Sequence, residues 1–201
     1  MRLLSHHYDG VMARWDPDGR ARLVAAAIDL FSERGYDETT VAEIAERAGL
    51  TRSTFFRYFP DKRDVLAAGQ AVMSRLLVDG IAAAPAGATP LDMVAAGLDD
   101  VGGAMTSFNR ELGPRLRAVI ASTAELQERD QLKHTSLVAD VAAALRARDV
   151  PGPVAALAAE VGMLAFREAY AAWIATDDGP SLVDLIRREL DSLRGSLAAL
   201  A

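Results

Sequence analysis

With 201 residues, 51% of them hydrophobic and 25% charged, the chain has the length and composition of a globular protein able to bury a sizeable core. It contains no cysteine, which excludes a disulfide framework and any thiolate metal site. Its net charge of −6 means that any surface for a polyanion must be local rather than general. The N-terminal MRLLSHHYDG lacks the apolar run of a signal peptide, and no segment reaches the ~18 uninterrupted apolar residues of a membrane span. A soluble, cytoplasmic protein is expected. Only 6% of residues are aromatic and alanine is abundant, which favours close-packed helices over sheets.

Residues 1–15 show no periodicity and read as a mobile arm. His6-His7 is better read as solvated than as a metal pair, because no further ligand types accompany it. Arg2 and Arg14 leave open a contact of this arm with DNA. Asp16-Pro17-Asp18 has the acid-then-proline signature of a helix start. Val24, Ala27, Ile28 and Phe31 then supply a helical stripe, and Gly35 closes the helix.

After Thr39, Thr40 and Glu43 have the spacing of a capping box. Val41, Ile44, Ala45 and Ala48 follow as one apolar stripe, Gly49 ends the helix, and Thr51 can cap the next. The connection Ala48-Gly49-Leu50-Thr51 suits a helix-turn-helix. In the second helix, about 52–59, Phe55 and Phe59 lie at i, i+4 and can anchor it, while Arg52, Ser53, Phe56 and Arg57 point the other way. Between 47 and 63 five basic residues (Arg47, Arg52, Arg57, Lys62, Arg63) face one acid, Asp61. That island is the footprint of a DNA-reading helix. Residues 1–65 hold ten basic and eleven acidic residues, so the other carboxylates confine DNA contact to one surface.

The run LFSERGYDETTVAEIAERAGLTRSTFFRYFPDKRDVL, within about Leu23 to Leu66, resembles the DNA-binding domain of the TetR family of bacterial transcriptional regulators. The resemblance covers roughly the first third of the chain. It implies a dimeric repressor that reads a palindromic operator and is released by a small ligand. The family often has Tyr at the position of Phe56, where the hydroxyl meets a phosphate, and His at the position of Tyr58. Phe56 cannot donate that bond, so Tyr58 or Arg57 is expected to carry more of the backbone contact. Arg52, Ser53 and Arg57 are the candidates for base or groove contacts, and Thr54 and Phe56 are counted with them among the DNA-binding residues. Thr40, Thr51, Tyr58 and Lys62 are the candidates for phosphates, Lys62 because it begins a helix capped by Asp61. An ordinary first-turn lysine is the alternative there.

Pro60 stops the reading helix, and a helix from Asp61 to about Asp79 is expected to join the halves rigidly. Residues 82–90 form a break. Further helices are expected at about 90–108, 112–121 after a Gly-Pro interruption, 123–148, 153–176 and 180–200. The reading is all-α, with an arm at 1–15, a helix-turn-helix domain at 16–65 and a helical ligand-binding and dimerisation domain at 66–201.

Val183, Ile186, Leu190, Leu193, Leu197 and Leu200 alternate by three and four in the last helix, a heptad seam. The preceding helix carries two stripes, one of Val154, Leu157, Val161 and Leu164, the other of Met163, Phe166, Tyr170 and Trp173. Two apolar faces must both be covered, either by a second subunit or by one monomer's own core. The resemblance favours a homodimer interface on the last two helices, and a cavity lined from Met93, Met105, Phe108, Met163, Phe166, Tyr170 and Trp173 for a hydrophobic effector. Each of these is also an ordinary core residue type.

No phosphate loop, nucleophile elbow or paired-histidine zinc motif is present, and no cofactor or metal is expected. His134, Glu160 and the Arg167-Glu168 pair read as surface, pocket-edge or intersubunit groups. Two rival readings remain: a DNA-binding dimer governed by a protein partner or by no ligand, and a helical enzyme with a vestigial helix-turn-helix. The second lacks any catalytic constellation.

Overall fold

The computed structural model describes residues 17–176 and 178–200. The expected arm at 1–15, with Arg2, His6, His7 and Arg14, lies outside them. Among the described residues there are nine α-helices and one 3-10 helix, and no strand. They form two compact units that divide between Ala68 and Gly69.

The N-terminal unit holds α1 (Pro17–Arg34), α2 (Val41–Arg47), α3 (Arg52–Tyr58) and a 3-10 helix (Lys62–Ala67). Its core is built from Leu23, Ala27, Ile28 and Phe31 of α1, Ile44 and Ala45 of α2, and Phe55 and Phe59 at the end of α3. Val24, expected on the buried stripe of α1, is only half-buried, and Leu23 takes the inner place. Gly35 ends α1 at φ +89°, a backbone state that a side chain would strain.

The C-terminal unit comprises α4 (Gln70–Ala83), α5 (Pro90–Ala104), α6 (Ser107–Ser122), α7 (Ala124–Arg146), α8 (Gly152–Trp173) and α9 (Leu182–Ala198). α5 packs against α4, α8 and α9. Small residues permit these crossings. A Cβ on Gly97 would fall 2.6 Å from the Leu77 carbonyl oxygen of α4, and one on Gly162 of α8 would fall 2.2 Å from Val94 Cγ1 of α5. Met73, Leu77 and Ile81 turn the inner face of α4 into this core. By length and composition alone the stretch 62–83 would suffice for a membrane span, and 28% of that window is buried.

Three helix boundaries differ from expectation. The stretch from Asp61 is not one α-helix: Lys62–Ala67 is a 3-10 turn, and α4 begins after Gly69. The helix expected over 90–108 stops at Ala104, because Thr106 and Asn109 form a second capping box that starts α6. Gly113-Pro114 does not interrupt α6. Pro114 is carried inside the helix. A Cβ on Gly113 would fall 2.6 Å from Ile174 Cγ2 and 2.9 Å from Tyr170 Oη, so its glycine serves close packing.

Just past the end of α7, Arg148 gathers four carbonyls. Arg148 Nη1 donates to the carbonyls of Ile81 and Ala82 at 2.7 and 2.9 Å. Its Nη2 donates to those of Ala84 and Pro85 at 3.0 and 3.4 Å. One guanidinium thus closes the C-terminus of α4, where carbonyls lack helical partners and the dipole favours a cation. Arg148→Ala is expected to lower the unfolding free energy of this unit by roughly 2–3 kcal/mol, measured by urea denaturation. Arg148→Lys should recover less than half of that, since an ammonium cannot span four carbonyls as a planar fork does. Full recovery by Lys would refute the geometric account.

Candidate nucleic-acid interface

α3 has only seven residues and is presented by its surroundings. The α2 capping box is complete: Thr40 N–H and Oγ1 donate to Glu43 Oε2 at 2.9 and 2.8 Å, and Glu43 N–H donates back to Thr40 Oγ1 at 3.3 Å. α2 ends in a Schellman motif, with Leu50 N–H donating to Ala45 O and Gly49 N–H to Glu46 O. Gly49 sits there at φ +66°. Thr51 then caps α3 by accepting from Thr54 N–H at 3.1 Å. Two residue-level signals, a capping box and a glycine, therefore set the angle of the turn.

Phe55 and Phe59 lock the inner face, their ring centroids 5.6 Å apart. Arg20 of α1, which the sequence did not single out, places its guanidinium 5.5 Å from the Phe59 ring centroid. On the outer face Arg52, Ser53, Phe56 and Arg57 are exposed. The Arg52 guanidinium lies over the Phe56 ring at 5.5 Å, and that of Arg57 over the Tyr58 ring at 5.2 Å. Among the described residues neither Arg52 nor Arg57 has a carboxylate partner. These two are the charges left available to an anion.

The rest of the basic island is otherwise engaged. Arg47 makes a bidentate pair with Glu33, 3.0 Å at each nitrogen. Arg63 lies 3.5 Å from Asp61. Lys62, expected at a phosphate, turns inward. Its Nζ donates to the carbonyls of Tyr36, Thr39 and Asp37 at 2.6, 2.9 and 3.3 Å, and sits 4.2 Å from the Tyr36 ring centroid. An ammonium has three donors, and three carbonyls take them. This geometry supports Lys62 as the closure of the loop between α1 and α2. The Thr40 hydroxyl is likewise occupied by Glu43, whose carboxylate would repel a phosphate at that point. Thr51 Oγ1 also lies 2.9 Å from Thr54 Oγ1, so both hydroxyls share the cap.

Elsewhere the predicted residues separate. Phe166, Tyr170 and Trp173 form a ring series on α8, with centroids 5.8 and 5.9 Å apart. Arg110 lies over Trp173 at 4.7 Å. Tyr170 Oη points to the Asn109 carbonyl at 3.4 Å, and burial pushes its pKa up. Met93 and Met163 are buried in the main core, Met105 packs at its edge, and Phe108 is exposed. His134 Nε2 lies 3.7 Å from Glu160, and Arg167 pairs with its neighbour Glu168.

Residues 23–68 match the family model described as bacterial regulatory proteins, tetR family. That segment, from α1 to the 3-10 helix, is a domain of the tetR type. It is 35% identical over 72 residues to the HTH-type transcriptional regulator TcmR of Streptomyces glaucescens, covering 36% of this chain and 32% of that one. It is 43% identical over 47 residues to HbdR of Aromatoleum sp., covering 23% and 20%. The matches thus span a third or less of these relatives' own length. Among solved structures, a complex of SmeT with triclosan shares 25% identity and a TM-score of 0.54, covering 90% of each chain. Thermus thermophilus FadR in complex with lauroyl-CoA shares the fold, at 22% identity, a TM-score of 0.53, and 86% and 91% coverage.

For this TetR-family domain the Lys62 geometry makes a direct forecast. Lys62→Met should lower the stability of the N-terminal unit by about 2–4 kcal/mol, the cost of leaving three carbonyls without a charged donor. The slope of log K against log salt for DNA binding should stay unchanged. A lysine on phosphate would behave oppositely, flattening that slope by about one counterion with little change in melting. Acid should weaken the same unit. Hydrogen bonds from the Thr40 backbone and side chain, with the Arg34 charge, hold the Glu43 carboxyl below its usual pKa. Such a group stabilises fully above its unfolded pKa, and the contribution disappears as pH falls through the lowered folded value. Thermal melts between pH 7 and 3 should show this loss, and Glu43→Gln should show a shallower one.

Proposed function

We propose that the protein is a homodimeric transcriptional repressor whose two α3 helices enter successive major grooves of a palindromic operator, and that a small hydrophobic molecule releases it. The observation that carries the DNA-binding part is the outer face of α3. Two arginines without carboxylate partners stand there beside an exposed aromatic, on a helix whose other face is locked by Phe55 and Phe59. Arg52, Ser53 and Arg57 reach base edges in this reading. Thr51, Thr54 and Tyr58 position the helix against the backbone. A palindrome read by two such heads, roughly 34–36 Å apart, requires a two-fold protein.

The dimer surface is supported by α8 and α9, in a form that differs from the heptad seam. Ile186 and Leu190 are fully buried in their own core, and Val183 packs beside Gly102 of α5. Ile186 and Leu190 are thus spent within their own core, while Val183 stays half-buried. The face left open runs along the first half of α8 and the end of α9. Val154 and Leu157 are 45% and 56% exposed. With Pro90, Leu91, Val161 and Leu197 they line an apolar hollow of about 240 Å³. A second copy, related by a two-fold axis, would cover this surface with its own. Leu193, half-buried against the core, lies at its edge.

The effector reading is supported by the ring series Phe166–Tyr170–Trp173, and by neighbours of the same fold that hold lauroyl-CoA and triclosan. An acyl chain or an aromatic of similar hydrophobicity suits such a wall.

Selection from random duplexes at two salt concentrations should enrich a palindrome with a steep salt slope. No enrichment would sink the regulator reading. Leu157→Glu places a charge in the open apolar face and should give a monomer by light scattering. Operator affinity should then fall on the order of 100-fold, since one head no longer assists the other. A Leu157→Glu protein that stays dimeric would move the interface elsewhere. Lauroyl-CoA is the first effector to titrate, and release of the selected duplex at micromolar concentration is the expected result.

A further inference from the structure

Phe56 is the exposed aromatic of α3, with 46% of its surface open. Its ring stands edge-on to the buried Phe55, with centroids 5.6 Å apart and planes at 85°. Arg52, one turn earlier, lays its guanidinium over the ring at 5.5 Å from the centroid. The ring is therefore held from beneath by the core and from one side by a cation, and the remainder stays open. A phenyl group has no donor or acceptor, so a phosphate oxygen gains nothing from it. An exposed apolar ring on a reading helix is paired most favourably with an apolar group on a base edge. In the major groove the only such group is the C5-methyl of thymine.

We propose that Phe56 is a specificity-determining residue that reads a thymine methyl in each half-site, and that it orients Arg52 toward a guanine within one base step of that thymine. The inference rests on the DNA-binding reading above and deepens it. The ring restricts where the guanidinium can go, because a cation over an aromatic face is held there by the ring's quadrupole. Arg52 then presents two parallel N–H donors, which match guanine O6 and N7. The methyl meets the open part of the ring while the arginine takes the adjacent base pair. Discrimination at the thymine comes from burial of a methyl, and at the guanine from hydrogen bonds.

The test uses the full-length protein and the duplex enriched by selection. Each thymine of the half-site is replaced in turn, symmetrically, by deoxyuridine, which removes only the methyl. Wild-type protein should lose about fourfold in affinity per half-site at one position, the value of one buried methyl group. Phe56→Ala should bind the thymine and deoxyuridine duplexes equally there. Replacing the neighbouring guanine by 7-deazaguanine should weaken wild-type most, weaken Phe56→Ala less because Arg52 has lost the ring that orients it, and leave Arg52→Ala unaffected. An undiminished effect in Phe56→Ala would overturn the orienting role. Both side chains are exposed, and melting midpoints within about a degree of wild-type confirm that the variants are folded. Wild-type binding indifferent to every deoxyuridine would overturn the proposal while leaving the regulator reading intact. So would a methyl effect that survives in Phe56→Ala. Failure to enrich any duplex would remove both.

Discussion

Burial of Phe55 and Phe59 is the constraint on which the reading face depends. A helix of seven residues is far below the length that holds itself in water. α3 exists because Phe55 and Phe59 are buried in the core of the N-terminal unit, and because Thr51 and the Gly49 turn deliver it at one angle. Everything on its outer face inherits that rigidity. Arg52 and Arg57 do not need rigid side chains of their own, since each lies against an aromatic that the same burial positions.

Charge is distributed by the same logic. The basic island of the sequence contains cations with different duties, and only their partners tell them apart. Arg47 ties α2 to α1 through Glu33. Lys62 gathers the carbonyls of the loop that leads into α2. Arg148 does the same for the end of α4 in the other unit. Lys62 and Arg148 each gather backbone carbonyls at or beyond the end of a helix. Taking these cations out of the electrostatic account leaves a small positive face on a protein of net charge −6. A small face surrounded by carboxylates favours one docking orientation over diffuse attachment to any polyanion.

The helix-turn-helix was legible because its signals are local. Thr40 with Glu43, Gly49, Thr51 and the Phe55–Phe59 pair are each decided within four residues, and each lies where the sequence placed it. The Thr106–Asn109 box is equally local, but in sequence the Gly113-Pro114 pair is the stronger punctuation. A proline within a helix costs one backbone bond, yet α6 runs through Pro114, with Gly113 packed close against Ile174. Lys62 illustrates the opposite case. Its position at a helix start is visible in sequence, but its partners lie 23 to 26 residues earlier, and no spacing rule reports them.

The last helix shows what periodicity can and cannot decide. A three-four repeat states that one face of α9 is buried, and Ile186 and Leu190 are indeed buried. It does not state whether the covering surface belongs to the same chain. That is settled by how much apolar surface the neighbours bring. α5 and α8 approach α9 closely, helped by Gly102, and consume the centre of its seam. What they leave only half-covered is Leu197 at one end, beside the exposed Val154 and Leu157 of α8. A helix with two apolar stripes, such as α8, then becomes the more informative element. One stripe is spent on Ala155, Ala159 and Met163 in the core. The other begins at Val154 and Leu157, where burial has not been supplied by this chain. Exposed leucine and valine at helical spacing, continuous with a hollow lined almost wholly by apolar side chains, carry a cost in water that association with a like surface would relieve.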